Sequence, residues 1–239
     1  MHGSSLLVLL TLSFGSPLVL AQPATTQATS APATTRAGLD DQSSPKAALK
    51  SFARSLEAGD KQAIMRLLAA DSAQDKKLAE AASDLAEATA RLREAAVKKF
   101  GPDLSRALGN EPGGAEEAVK RIDQSEEKID GEKAAVKPKE NEGPPLNMVK
   151  RNGKWMLPMS ELSKDVEPAD LEKNLADMSR QIKLLRELTD EVAAGKYKTA
   201  VDARQALDKR IMQASMPAIT TAPSATTTAP ANAAPSPQP

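Results

Sequence analysis

The chain has no cysteine and only one histidine, His2, and these two absences remove a large part of protein chemistry. Disulfides, thiolate metal sites and cysteine nucleophiles are excluded outright. His2 lies in an apolar N-terminal stretch, so a processed chain would also lack the commonest general base and most zinc ligation. Aromatic residues make up 2% of the sequence, with Trp155 and Tyr197 the single examples of their kinds. Neither sign of charge dominates: 32 basic side chains face 32 acidic ones. Without a basic surplus or stacking platforms, nucleic acid is not an expected partner. No cofactor is expected either. The longest apolar run, residues 6–20, is interrupted by Thr11, Ser13, Gly15, Ser16 and Pro17 and is shorter than the roughly 20 residues a membrane span needs.

What is present divides the chain into five parts. Residues 1–21 carry a short apolar core followed by Val19, Leu20 and Ala21, the pattern of a cleavable signal peptide, and predict an exported protein, periplasmic or extracellular. Residues 22–38 and the tail 216–239 are rich in Ala, Thr, Pro and Ser, with too little apolar surface to offset the entropy of ordering them. Between them, 39–162 read as one α+β domain and 163–215 as a helical extension packing on it.

The clearest local signal is Asn152-Gly153, because both positions of a two-residue hairpin turn need a positive φ that Asn and Gly tolerate. Counting outward sets Arg151 opposite Lys154, Lys150 opposite Trp155, Val149 opposite Met156, Met148 opposite Leu157 and Leu146 opposite Met159. Alternation then puts Leu146, Met148, Trp155, Leu157 and Met159 on one face, and the only tryptophan makes that face the buried one. A second turn is expected at Asp130-Gly131, before the strand 133–137, so that a short antiparallel β-meander forms.

Helices account for the rest. Ser44 and Pro45 open the first, with Ala48, Leu49, Phe52 and Leu56 as its apolar stripe and Gly59 as its stop. Asp60 caps a second, which buries Ile64, Leu67 and Leu68. A long helix over 72–99 carries Leu78, Ala82, Leu85, Thr89, Leu92 and Ala96 in a heptad seam, and a short helix follows over 116–125. Another long helix, opened by Glu167-Pro168, repeats that spacing through Leu171, Leu175, Met178, Ile182, Leu185, Thr189 and Val192. These two helices are expected to pair antiparallel within the chain. A last helix over 200–212 should turn Val201, Leu207 and Ile211 inward. The fold class is therefore α+β and helix-dominated: a short antiparallel meander covered by helices, with two long amphipathic helices.

The first helix with its Leu56-Glu57-Ala58-Gly59-Asp60 ending, the strand pair around Asp130-Gly131-Glu132-Lys133-Ala134-Ala135-Val136, and the hairpin Val149-Lys150-Arg151-Asn152-Gly153-Lys154-Trp155 together resemble the nuclear-transport-factor-2-like superfamily of cone-shaped α+β domains, over residues 45–162. The resemblance implies a curved sheet wrapped by helices, in a family holding enzymes, ligand binders and assembly modules. Its enzymes often work with Asp, Tyr or His inside the cone. Tyr197 falls outside the match, and no catalytic residue carries over.

The remaining candidates read mainly as structure. Glu80, Glu87 and Glu94 recur every seven residues, but they occupy the heptad position farthest from the seam and form a solvated face. Asp123, Glu126, Glu127 and Asp130 read as a charged helix end, and Asp40-Asp41 as acids favouring a helix dipole. Met148, Met156, Met159 and Met178 offer an adaptable surface or a core. Phe52, Met148, Trp155 and Leu157 are the candidate ligand-binding residues, as a pocket or a core face, and no metal-binding or catalytic residue is assigned. The expected function is a non-enzymatic binding or assembly module, acting through a protein partner or a small apolar ligand, as a monomer or weak dimer. A cone enzyme with a buried carboxylate base and a coiled-coil structural protein are the alternatives.

Overall fold

The computed structural model describes residues 40–101, 114–139, 144–163 and 168–215. The expectations for 1–38 and 216–239 lie outside them. Among the described residues the order is α1 (Pro45–Ala58), α2 (Lys61–Leu67), β1 (Leu68–Ala69), α3 (Ala73–Phe100), α4 (Gly114–Gln124), β2 (Glu126–Asp130), β3 (Lys133–Lys137), β4 (Leu146–Arg151), β5 (Lys154–Pro158), α5 (Met159–Ser163), α6 (Pro168–Ala193) and α7 (Ala200–Ser215). The fold is α+β and helix-dominated, with a five-stranded sheet ordered β1-β5-β4-β3-β2.

The caps explain where the first helices begin and end. Ser44 accepts a hydrogen bond from the Ala47 N–H, Asp60 from the Ala63 N–H, and Ser72 and Asp75 satisfy one another's backbone in a capping box. Gly59 closes α1 in the left-handed region at φ 64°. It also lies against α3, where a β-carbon would stand 2.5 Å from that of Ala90.

The Asn152-Gly153 turn forms as the residues dictate, with φ of 50° and 78°. The ladder between β4 and β5 pairs Arg151 with Lys154, Lys150 with Trp155 and Val149 with Met156. Past that point the pairing departs from expectation. Leu157 and Pro158 run parallel to Leu68 and Ala69 of β1, and Met159 opens α5 instead of extending the hairpin. The sheet is thus mixed, and Leu68 belongs to a strand rather than to the second helix. The other turn is displaced by one residue: Asp130 pairs with Lys133, so Gly131-Glu132 forms the loop, with Gly131 at φ 58° in the first central position. Glu126–Asp130 is a strand, not a helix end.

A main core lies between the inner face of the sheet and α1, α2 and α3. Ile64, Leu67, Leu78, Val136, Met148 and Met159 are almost wholly enclosed there, alongside Trp155 and Leu157.

The two long helices pair within the chain, but in parallel. Leu78, Ala82 and Leu85 from the front of α3 cluster with Leu171, Leu175 and Met178 from the front of α6. Leu92 and Ala96 from the back of α3 cluster with Leu188 and Val192 from the back of α6. Arg186 reaches Asp84 at 3.7 Å, and Lys99 Nζ comes within 3.0 Å of where a β-carbon on Gly195 would stand. The parallel pairing of β1 with β5 fits this arrangement: β1 leads after a short connection into α3, and β5 is followed by α5 and then by α6. A heptad seam carries no sign of direction, and its spacing alone did not distinguish the two arrangements.

Candidate functional site

Trp155 organises the sheet end of the molecule. Alternation along β5 turns it inward with Leu157, and both are buried, at 3% and 2% exposure. Met148 on β4 lies on the same face and Phe52 joins from α1, half-buried. The structure therefore gathers all four candidate residues into one apolar cluster. Lys150, directly opposite Trp155 in the ladder, holds its ammonium group 5.7 Å from the ring centroid.

Gln42, to which no role attaches in the sequence, ties this site together. Its backbone carbonyl accepts a hydrogen bond from the Trp155 N–H at 3.0 Å. Its side-chain nitrogen donates to the carbonyls of both Trp155 and Arg66, each at 3.1 Å. One buried amide thus joins the N-terminal segment, α2 and β5, and extends the edge made by the two-residue β1. A lone Gln within Asp-Asp-Gln-Ser-Ser has no periodicity that would have marked it. Gln42→Ala is expected to leave two carbonyls without their partner and to lower stability by about 1–3 kcal/mol, read from urea unfolding.

The neighbouring acids act as local braces. Asp40 receives both oxygens' worth of hydrogen bonds from Arg66, at 2.9 Å. Asp41 accepts from the Ser43 hydroxyl and backbone N–H, which hold its carboxyl below the ordinary value. Asp71 is lowered by its hydrogen bond from Arg151. Both Asp40 and Asp41 precede the Ser44 cap of α1, and each is engaged by these hydrogen bonds. Glu127 accepts from the Lys46 N–H and so fastens β2 to the start of α1. On the seam's outer face Glu80 and Glu94 are exposed, while Glu87 is half-buried and pairs with Arg91 at 2.7 Å.

A second polar centre lies at the opposite end. Glu191, near the end of α6, receives Lys196 Nζ at 2.6 Å, the Tyr197 hydroxyl, and Arg210 Nη2 at 2.7 Å from α7. The hydrogen bonds from Lys196 and Tyr197, then that from Arg210, pull its pKa from 4.5 to about 2. Tyr197 is raised, first by burial and then by its bond to that carboxylate. Because the folded-state value is depressed, this contribution to stability is complete above about pH 4.5 and is lost as pH falls through about 2. Solvent at the cluster reduces its size to about 1 kcal/mol. Thermal unfolding of wild type and Glu191→Gln should differ by a constant amount, about 1 kcal/mol, above pH 5, and the difference should shrink as pH falls toward about 2.

Around this centre α7 is rotated relative to expectation. Ala203 is buried and Leu207 half-buried, whereas Val201 and Ile211 face solvent at 57% and 44% exposure. Ala203, with Ala200 and Leu207 beside it, makes the contact. Among the described residues no group of three or more His, Asp or Glu is placed to hold a metal ion. No protein-family model, curated protein or solved structure matches the chain.

Proposed function

We propose that the protein is an exported, non-enzymatic binding or assembly module, whose cone-like sheet end presents an apolar interior to a small hydrophobic molecule or serves as the core behind a protein-contact surface. The observation that carries this reading is the apolar inner face of the sheet around Trp155, and the acids elsewhere are in keeping with it. The described carboxylates with a clearly shifted acidity, Asp41, Asp71 and Glu191, are all stronger acids than usual, each held ionised by hydrogen-bond donors. A carboxylate serving as a base near neutral pH needs the reverse, an apolar setting that raises its pKa. On the inner face around Trp155 the side chains are Met148, Leu157, Val136 and Ala134, with Lys150 at the rim.

The coiled-coil alternative required the two seams to pair between chains. That role has no free seam here, since α3 and α6 fill one another. No helix among the described residues is long and apolar enough to cross a membrane.

The test uses Trp155 as the only tryptophan. Titration of the full chain with 8-anilinonaphthalene-1-sulfonate, exciting the indole, should give saturable energy transfer if the sheet end takes an apolar ligand. Absence of transfer would confine the reading to protein contact. Turnover of a hydrophobic ester or other hydrophobic substrate that is abolished by replacing a single Asp or Glu would overturn the whole reading.

A further inference from the structure

The far end of the molecule is built differently from the sheet end. Its apolar cluster, Leu92, Ala96, Leu188, Val192 and Ala203, shares no residue with the main core. Helix α7 gives that cluster one fully buried side chain, Ala203, with Ala200 and Leu207 partly buried, and turns Val201, Ile211 and Met212 to solvent. Little apolar surface therefore holds α7 down.

Three polar ties of this segment converge on one carboxylate. Lys196 and Tyr197 from the loop and Arg210 from α7 all bond to Glu191. The helix also carries its own start and its own pairs. Thr199 and Asp202 satisfy each other's backbone N–H in a reciprocal cap, and Arg204 bonds Asp208 one turn on. These interactions travel with α7 and do not depend on its seat. Gly195, at φ 75°, ends α6 and begins the connecting loop.

We propose that α7 and the loop before it form a hinged flap, which lifts from the ends of α3 and α6 as a unit while the sheet end stays folded. Lifting uncovers the edge of the Leu92, Ala96, Leu188 and Val192 cluster against which Ala203 and Leu207 pack in the closed form. Segments held by few apolar contacts open on their own equilibrium, below the free energy of global unfolding. Glu191 is the latch, because it is the point where loop, α6 and α7 meet.

Hydrogen exchange of the full chain, followed by mass spectrometry over a series of low urea concentrations, tests this directly. The amides of α7 should exchange at least about tenfold faster than those of β4 and β5, through an opening with little urea dependence, since little surface is exposed. Glu191→Gln should speed α7 exchange by a further factor of about ten and leave the β4–β5 amides unchanged. Wild-type α7 amides that open with the same free energy and urea dependence as the hairpin would overturn the flap. So would a Glu191→Gln effect spread equally over both ends. If that variant does not fold, the wild-type comparison alone decides.

Discussion

Trp155→Ala is expected to lower the unfolding free energy by about 3–5 kcal/mol, the usual range for truncating a large enclosed aromatic. That is a large fraction of the roughly 5–15 kcal/mol that holds a folded chain together. The loss is expected near the top of its range because the walls cannot close in. Trp155 lies between a sheet whose strands are fixed by the Asn152-Gly153 turn and a layer made by α1 and α2. Its backbone is tied to Gln42 through both N–H and C=O, so β5 cannot shift to fill the space. Lys150 also loses the ring it covers, worth about 0.5–1 kcal/mol at a partly exposed site. Because the substitution removes the only tryptophan, far-ultraviolet circular dichroism in urea is the suitable readout. An unchanged midpoint would show that the ring is not embedded as described.

Gly59→Ala should cost about 2–5 kcal/mol, through two separable effects. A residue with a β-carbon at φ 64° costs about 1–2 kcal/mol in backbone strain. The added carbon would stand 2.5 Å from Ala90 Cβ and 3.1 Å from the Glu87 Cα, and overpacking of that kind costs about 1–3 kcal/mol more. Gly131 separates the two, since its φ is 58° but nothing lies within 4 Å of a β-carbon there. Gly131→Ala should therefore show the strain alone. Combining Gly59→Ala with Ala90→Gly should recover part of the packing loss, as a positive coupling in a double-mutant cycle. Equal effects at Gly59 and Gly131 would mean that α1 and α3 do not approach each other this closely.

The legible parts of the chain were those whose physics is local. A two-residue turn constrains φ at Asn152 and Gly153 themselves, and register follows by counting, which placed Trp155 inward. Ser44 and Asp60 cap helices through bonds spanning three residues. What escaped was decided at a distance. The two-residue β1 is too short to carry a pattern, yet its parallel pairing with β5 makes the sheet mixed and goes with the parallel arrangement of the two long helices. Gln42 acts on a residue far along the chain, at Trp155. For α7, three large apolar residues suggested a buried face, but of these only Leu207 packs on the cluster, beside Ala203 and Ala200, while Val201 and Ile211 stay outside. The four residues around Trp155 were legible as a group because each is apolar and on the right face. Their pattern does not distinguish a packed core from the wall of a binding site, since both are made from the same side chains.

The parallel seam has a consequence for how the chain is made. An antiparallel helical hairpin can close as soon as its second helix emerges, because the partners are neighbours in sequence. Here Asp84 waits for Arg186 and Leu92 for Leu188 and Val192. At a synthesis rate of about 5–20 residues per second, roughly 5–20 s separate the appearance of a residue of α3 from that of its partner. During that interval α1 and α2 can cover one flank of α3, through Ala86 and Ala90 beneath Gly59, but the seam itself stays open. Contacts between residues so far apart in sequence are closed at a high entropic cost and slow the folding of the whole chain. Substitutions at Met178, Ile182 or Leu188 are thus expected to act mainly on how fast the finished molecule comes apart, whereas those around the Asn152-Gly153 hairpin act on how fast it forms.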